Sequence, residues 1–272
     1  MEALSGMHEP SPFVALMRIY CNDYTNRHDT SVCPLIMEPG YTLHMGVHDL
    51  VGRDERYTPA AMKQFTQFPG LCLTVNQIVT NGDRLVMRFS EHGASNRHDG
   101  RVAAWNGIGL YRWNGKKLLE NFVEQDYFSR TVQLDGGDPL PVENPAIAPW
   151  DSPAEPENPA AEAFVRGLIE SGDILDQPAL LFDDEWISGA AGDRVIEPES
   201  AVINDIFSAG DHVAFHVAMS GRLRADSVLA GDNAGEKVLL HMGAVVRVEQ
   251  DELVWGRGVR DRLGLKRRLA QG

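Results

Sequence analysis

The sequence predicts an α+β protein of two tandem domains, in which N-terminal helices pack on a curved, mostly antiparallel sheet and leave a cone-shaped cavity. Residues 108–134 align without a gap with residues 243–269 at a constant offset of 135. Upstream, residues 81–87 are echoed by residues 209–215 at an offset of 128. Each half also places helical spacing before a run of hairpins, which indicates a tandem repeat of one fold.

The domain boundaries follow from a shift in composition. Residues 136–160 hold seven of the fifteen prolines, and such a segment favours extended polyproline conformation over helix or strand. We therefore expect a first domain over residues 1–135, a linker, and a second, more divergent domain over residues 161–272. The two halves are expected to pack sheet against sheet as an intrachain pseudo-dimer, with further homo-oligomerisation left open.

Length, charge and cysteine content narrow the class of protein. The 272 residues suit about two domains, and the net charge of −14 argues against nucleic acid or an anionic membrane as a partner. Three cysteines without CxxC spacing indicate neither a disulfide framework nor a zinc site. The N-terminus lacks the basic and apolar segments of a leader, and no stretch nears the roughly 18 apolar residues of a membrane span. We expect a cytoplasmic protein whose partner is a small molecule.

The first half opens with helices. Residues 12–25 place apolar side chains at helical spacing behind a Ser-Pro start, and a second short helix lies within residues 58–70 between a Thr-Pro start and a Pro-Gly stop. Residues 71–92 then predict a hairpin around Asn81-Gly82, with Glu91 on its apolar face.

Residues 41–48 alternate in hydrophobicity and are interpreted as one strand. His44 and His48 then share one side, and Leu43 and Met45 the other. Two imidazoles on one side raise the question of a metal, but no third ligand at a supporting spacing accompanies them. A histidine that lines a pocket is the favoured interpretation.

The central hairpin turns at Asn114-Gly115, the strongest signal for a two-residue type I′ turn. Counting outward sets Gly107 opposite Phe122 and Ala103 opposite Asp126. On this count, one face holds Tyr111, Gly109, Gly107, Trp105, Ala103, Leu118, Glu120, Phe122, Glu124 and Asp126. Glycines and aromatic residues beside carboxylates indicate the wall of a cavity, although Glu120 and Glu124 could equally be solvated.

The second half repeats the order. A helix is expected over residues 160–173 and a second short helix over Pro178–Trp186. Strands are expected over residues 201–207, 212–220 and 238–248, followed by a final strand that ends at Asp261.

These residues resemble a family. The order of elements, and a strand of the pattern I-x-E-x-W-x-x-x-D followed by a leucine-containing tail, is similar to the nuclear transport factor 2-like superfamily and, within it, to the SnoaL-like polyketide cyclases and the ketosteroid-isomerase-like proteins. Leu118, Glu120, Phe122 and Asp126 occupy the motif positions, and Gln133-Leu134 match the usual ending. The resemblance implies that Asp126 is the general acid/base.

The second copy departs from this pattern. Leu253, Trp255, Arg257 and Asp261 fill the same positions, so a tryptophan replaces the glutamate and an arginine replaces the aromatic residue. Arg257 could pair with Asp261 and hold it ionised, which suits a structural role at least as well as a catalytic one. The second-domain candidates are Asp261, His241 and Arg257, and they rank below the first site.

Two functions of different classes stay open. One is a cofactor-independent acid/base enzyme acting on a carbonyl compound, such as a cyclase, isomerase or dehydratase, because there is no phosphate loop, nucleophile elbow or metal cluster in the sequence. The other is a non-catalytic binding module with the same cavity. In the first, the chemistry depends on Asp126, with His44 and His48 as the other catalytic candidates, and the cavity is lined by Trp105, Glu91, Phe122, Glu120 and Tyr111. An open cavity around Asp126 would favour the enzyme, and a salt-bridged Asp126 in a filled cavity would favour the binding module.

Overall fold

A computed structural model describes residues 11–189 and 192–271. The first domain contains, in chain order, α1 (Pro12–Ile19), a π-helical turn (Tyr20–Thr25), a 3₁₀ turn (Thr30–Val32), α2 (Cys33–Ile36), β1 (Met37–Met45), β2 (His48–Val51), a second π-helical turn (Arg53–Tyr57), α3 (Thr58–Gln67), β3 (Cys72–Thr80), β4 (Arg84–Ser95), β5 (Arg101–Trp113), β6 (Leu118–Gln125) and α4 (Tyr127–Leu134).

A linker with one 3₁₀ turn (Pro149–Asp151) leads to the second domain. This domain contains α5 (Pro159–Ser171), a 3₁₀ turn (Asp173–Asp176), β7 (Leu180–Phe182), α6 (Glu185–Ser188), β8 (Ile196–Ala209), β9 (His212–Leu223), a 3₁₀ turn (Gly231–Asn233), β10 (Lys237–Glu249), β11 (Glu252–Arg260) and α7 (Arg262–Leu269).

The two sheets share one topology. The first has the strand order β2-β1-β6-β5-β4-β3, and the second has the order β7-β11-β10-β9-β8. Only β1 with β6 and β7 with β11 pair in parallel, so both sheets are mostly antiparallel. The predicted α+β class, with two tandem domains of helices on a curved sheet, is confirmed.

Two predicted elements were wrong. Residues 41–48 do not form one strand, because the chain reverses at Gly46, whose φ of +55° favours glycine, and β2 folds back on β1. Residues 178–186 do not form one helix, because Leu180–Phe182 pair with Gly256–Gly258 of β11. A short apolar run suits a strand or a helix equally, and here the pairing with a neighbouring strand decides.

The register of the central hairpin was also wrong. The turn is a four-residue loop in which the Asn114 side chain accepts hydrogen bonds from the backbone amides of Lys116 and Lys117. A bulge follows in β6, and Phe122 lies opposite Leu110 instead of Gly107. The shift is three residues, and a shift by an odd number moves every side chain of a strand to the other face.

The sheets of the two domains pack face to face. Their contact is an apolar cluster to which the first sheet contributes Ile108, Leu110 and Phe122, and the second contributes Val245 and Val259. The linker runs along the outer strand β3, where the backbone amides of Ala146 and Glu155 donate to carbonyl oxygens of that strand. The face of each sheet that points away from the other domain covers a separate core.

Candidate functional site

The first domain encloses a cavity of about 230 Å³ between its helices and the concave face of its sheet. Tyrosine and phenylalanine side chains make up much of its wall: Tyr20, Tyr24, Tyr57, Phe65, Phe89, Tyr111 and Tyr127. The one tyrosine of the chain outside this lining, Tyr41, packs edge-on against Tyr57 with ring centroids 4.9 Å apart. The six tyrosines of the protein therefore surround one cavity.

Two π-helical turns deliver three of these tyrosines. The first, directly after α1, presents Tyr20 and Tyr24, and the second, directly before α3, presents Tyr57. A π-helical turn widens a helix locally and is found frequently at functional sites. Here the two widened turns face each other across the cavity, and the hydroxyl groups of Tyr20 and Tyr57 lie 3.1 Å apart.

Glu91 is the one ionisable acid in the lining that the structure describes, and it belongs to β4. Its side chain is buried, and its Oε2 accepts a hydrogen bond of 2.8 Å from Nε2 of Gln64 on α3. Burial raises the pKa of Glu91 to about 7, against the opposing effects of the Gln64 hydrogen bond, the Arg130 charge and Trp105. A carboxyl group with such a pKa exchanges protons readily near neutral pH.

Amide groups lie on the same wall as Glu91. Asn121 of β6 is 1% exposed, and within residues 11–189 and 192–271 its Oδ1 has no hydrogen-bond partner. Gln125, at the end of β6, accepts a hydrogen bond of 2.8 Å from the indole N–H of Trp105. A buried amide oxygen without a partner carries a desolvation cost that a ligand donor can relieve.

Among the predicted cavity residues, Glu91 and Tyr111 line the cavity. Trp105 does not line it, but its indole N–H donates a hydrogen bond to Gln125, which does. Glu120 and Phe122 do not, because the three-residue register shift turns them to the face that packs on the second domain. The predicted position of Asp126 was wrong for the same reason.

Asp126 lies at the N-terminus of α4, outside the cavity. Its carboxylate caps the helix by accepting a hydrogen bond from the Ser129 amide, and it accepts a second one of 2.9 Å from the guanidinium of Arg262 in the second domain. The side chains are 1% and 8% exposed. This is a buried ion pair between the domains, and neither residue lines the first-domain cavity.

His44 and His48 lie on different strands and do not face the cavity. The His44 ring is held by Asp49 at 2.6 Å and Glu120 at 3.0 Å, and it stacks on Phe122 with ring centroids 4.4 Å apart. His48 is exposed in β2. No group of three His, Cys, Asp or Glu side chains that could hold a metal ion occurs in the part of the chain that the structure describes.

Glu124, which was predicted to line the cavity or to be solvated, is instead buried on the face between the domains. Glu124 is 1% exposed, and its Oε1 accepts hydrogen bonds from the backbone amide of Gly46 and from Nε2 of His216. Burial raises the pKa of Glu124, as does Asp261, whereas His216 and the Gly46 amide lower it. This contact joins the domains and has no open cavity beside it.

The second-domain candidates also lie outside a cavity. Asp261 caps α7 through the Gly264 amide and pairs with Arg268 at 3.3 Å, so the predicted pair with Arg257 is not formed. Arg257 packs on Trp186 and Trp255. His241 is buried near His216, and burial, followed by the charges of His216 and Arg268, lowers the pKa of His241 to about 4.

The second domain has apolar side chains where the first has the wall around Glu91. The positions equivalent to Glu91, Trp105, Gly107 and Gly109 hold Met219, Leu240, Met242 and Ala244, and the register agrees, since Glu91 faces Trp105 and Met219 faces Leu240. These four side chains are buried in one apolar core.

A separate cavity of about 240 Å³ lies at the rim of the second domain, between Leu180 and Ile196. Several charged groups of its lining pair with one another: Arg194 with Asp176, Arg224 with Glu197 and Arg260 with Glu185. The first-domain cavity instead holds one buried acid in an otherwise uncharged aromatic lining, and we therefore place the candidate site there.

Some of the site residues could have been found from the sequence. With a register shifted by three, Asn121 and Gln125 join Trp105 and Tyr111 on one face. Tyr20 and Tyr24 stand four apart in a predicted helix, which puts them on one side. Gln64 had no signal of its own, because its role depends on where α3 packs.

Comparisons with known proteins bear on the fold alone. The sequence matches no protein-family model, and no curated protein matches it. Similar solved structures include a candidate SnoaL-like polyketide cyclase from Jannaschia sp. CCS1, with 16% identity, TM-score 0.44, and 47% of this chain and 94% of that chain covered. Candidate polyketide cyclases from Acidithiobacillus ferrooxidans (18%, 0.42, 47% and 98%) and Streptomyces antibioticus (18%, 0.40, 46% and 98%) are similar as well. The resemblance stated from the sequence is thus found among solved structures.

None of the helices within residues 11–189 and 192–271 is long and apolar enough to cross a membrane.

Proposed function

We propose that the first domain is a cofactor-independent acid/base enzyme that moves a proton next to the carbonyl group of a small molecule, with Glu91 as the base. The observation that supports this most is a single buried carboxyl group in an otherwise neutral aromatic cavity, with its pKa raised to about 7. At that pKa the carboxylate is available near neutral pH and is a far stronger base than a solvated glutamate.

The chemistry needs a base, a stabiliser for the oxyanion and little water. The C–H bond next to the carbonyl breaks, its proton goes to Glu91, and the electron pair moves onto the carbonyl oxygen as an enolate. Of the Tyr20 and Tyr57 hydroxyls, whichever accepts the other's hydrogen bond has its own proton free to donate to that oxygen. Returning the proton at another atom gives an isomerisation, and attack by the enolate carbon gives a cyclisation.

Gln64 holds Glu91 in place. Its amide donates to Oε2 of Glu91, which leaves Oε1 to take the proton. The same hydrogen bond connects β4 to α3. Asp126, His44 and His48 have no part in this proposal, since they lie outside the cavity.

Hydrogen exchange tests the proposal without knowledge of the natural substrate. The protein is mixed with 2-tetralone in D₂O, and NMR follows deuterium incorporation next to the carbonyl. We expect the wild-type protein to accelerate exchange and Glu91→Gln to lose roughly 10² to 10⁴ of that rate. The control is Glu124→Gln, which removes a buried carboxyl group on the opposite face of the same sheet and should retain the rate.

Two outcomes contradict the proposal: no acceleration by the wild-type protein for 2-tetralone or a panel of similar ketones, or equal rates for wild type and Glu91→Gln.

For the second domain a different function is favoured by a specific observation. Its apolar core, with Met219 where the first domain has Glu91, supports a non-catalytic role as the partner that buries the outer face of the first sheet.

A further inference from the structure

The lining of the first-domain cavity has an unusual charge balance. The nineteen residues that form it include one acid, Glu91, and no lysine, arginine or histidine. A ligand that carried a carboxylate or phosphate would have to be desolvated beside Glu91 with no cationic partner in the wall, which is strongly unfavourable.

The aromatic wall has the opposite preference. The faces of tyrosine and phenylalanine rings carry negative electrostatic potential, and enclosures of such rings bind organic cations, quaternary ammonium ions above all. Seven aromatic side chains around one carboxyl group combine ring attraction with a counter-ion. Neutral apolar ligands gain only the burial of their surface from the same wall.

The neighbourhood of Glu91 already holds one cation in this way. The guanidinium of Arg130, on α4, lies 3.8 Å from the ring centroid of Tyr127 and 5.0 Å from that of Trp105. Among the described residues, no carboxylate lies within 4.0 Å of it, so ring contacts replace a direct ion pair. Arg130 itself is not part of the cavity lining, and the cavity side of Tyr127 is free for a ligand.

We propose that the cavity of the first domain selects a small organic cation, a molecule with a protonated or quaternary amine, and that Glu91 is its counter-ion. The inference rests on the proposed function for the location of the site, and it defines the substrate class as a carbonyl compound with a positive charge. Such a charge also stabilises the enolate that forms when Glu91 takes a proton from the same molecule.

The proposal predicts a specific pH dependence of cation binding. Only the ionised form of Glu91 attracts a cation, and burial raises the pKa of this group to about 7. The affinity for a cation that cannot itself titrate should therefore be full above pH 8 and fall about tenfold for each pH unit below the pKa. Binding should release a proton from the protein near pH 7.

The test uses three ligands of similar size in isothermal titration calorimetry. Benzyltrimethylammonium is the cation, neopentylbenzene is its uncharged carbon analogue, and phenylacetate is the anion. At pH 8 we expect the cation to bind at least tenfold more tightly than the carbon analogue, and the anion to bind most weakly. Between pH 8 and pH 5 the affinity for the cation should fall, and that for the carbon analogue should stay constant.

Two variants locate the effect. Glu91→Gln should lose most of the preference for the cation and all of its pH dependence, because only the attraction of the rings is left, whereas Glu124→Gln should keep the wild-type preference. Far-UV circular dichroism and a thermal midpoint show that each variant is folded. A variant such as Glu91→Met, which also removes the charge, provides a second measurement if the glutamine variant does not fold.

The proposal is overturned if the carbon analogue or the anion binds as tightly as the cation at pH 8, if no cation binds at millimolar concentration, or if Glu91→Gln keeps the preference. The result is separable from the proposed function. Exchange of 2-tetralone that depends on Glu91, together with no preference for the cation, would retain the acid/base role and remove only the substrate class.

Discussion

The two domains share one sheet topology and differ in what fills it. In the first, Gly107 and Gly109 of β5 make room for the rings of Phe89 and Tyr111, which line the cavity beside Glu91, and in the second the equivalents Met242 and Ala244 belong to an apolar core. The same backbone therefore supports an aromatic cavity with a buried acid or an apolar core at these positions, depending on a few side chains on the concave face. Close packing stabilises the second domain, and the open volume and buried carboxyl group of the first are costs that a function must justify.

The most severe test of this contrast places the acid in the wrong domain. Met219→Glu puts a carboxyl group into an apolar core without a hydrogen-bond donor such as Gln64, so we expect a loss of roughly 3–5 kcal/mol in the free energy of unfolding. Urea denaturation at pH 8 measures it. A loss below 1 kcal/mol would show that the second core opens as easily as the first.

The capping aspartates provide a second comparison, because Asp126 and Asp261 occupy equivalent positions. Asp126 is buried against Arg262, so Asp126→Ala should cost roughly 3–5 kcal/mol of unfolding free energy. The Arg268 partner of Asp261 is 30% exposed, so Asp261→Ala should cost only about 1 kcal/mol, mainly through the lost cap. Denaturant unfolding of both variants under one condition decides, and equal losses would contradict the assignment.

A third prediction concerns the pH dependence of stability. The pKa of Glu91 is raised from 4.5 to about 7 in the folded protein, so folding favours its neutral form. The free energy of unfolding is therefore highest below pH 4.5, and this extra stability is lost as the pH rises through 7. Glu91→Gln removes this dependence. At pH 8 its free energy of unfolding should exceed that of the wild type by about 3 kcal/mol, with little difference at pH 4.

Urea titrations at several pH values measure this difference, with the exposed Glu170→Gln as the control. A wild-type protein and a Glu91→Gln variant that show parallel curves from pH 4 to pH 8 would mean that Glu91 is solvated.

The smallest expected effect comes from removing one hydroxyl group. Tyr57→Phe deletes the hydrogen bond to Tyr20 and should cost about 1 kcal/mol of stability. Its effect on 2-tetralone exchange should be larger than its effect on folding, near tenfold, because the oxyanion loses a donor. An unchanged exchange rate would remove this hydroxyl pair from the mechanism.

Much of the fold could be predicted from the sequence because its signals are local. Helix starts at Ser11-Pro12 and Thr58-Pro59, the Asn81-Gly82 turn and the repeated hairpin follow from residue chemistry at short range. The order of the elements then required an α+β arrangement in each half.

The site could be predicted only in part, and one loop explains most of the failure. The Asn114 side chain closes a four-residue loop instead of a two-residue turn, and the bulge in β6 moves the register by three. Glu120, Phe122 and Asp126 were therefore assigned to the wrong face. Glu91 was placed correctly because its face follows from the alternation within β4, and the bulge of that hairpin, between Val75 and Gln77, lies in β3.

The packing of the two domains lay beyond sequence reasoning. The pair of Asp126 with Arg262 joins residues 136 positions apart, and neither residue has a local signal for the other. Arg262 stands where the first copy has Tyr127, so the repeat itself gives no indication of the contact.

The distribution of the tyrosines provides an intrinsic optical probe of the first domain. All six tyrosines belong to the first domain, so near-ultraviolet tyrosine signals come from that domain alone, whereas the five tryptophans are spread over both domains and the linker. Burial raises the pKa of Tyr127 to about 12 and that of Tyr24 above its ordinary value. Alkaline difference absorption at 295 nm should therefore stay silent until the first domain opens, which separates the unfolding of the two halves in one unlabelled chain.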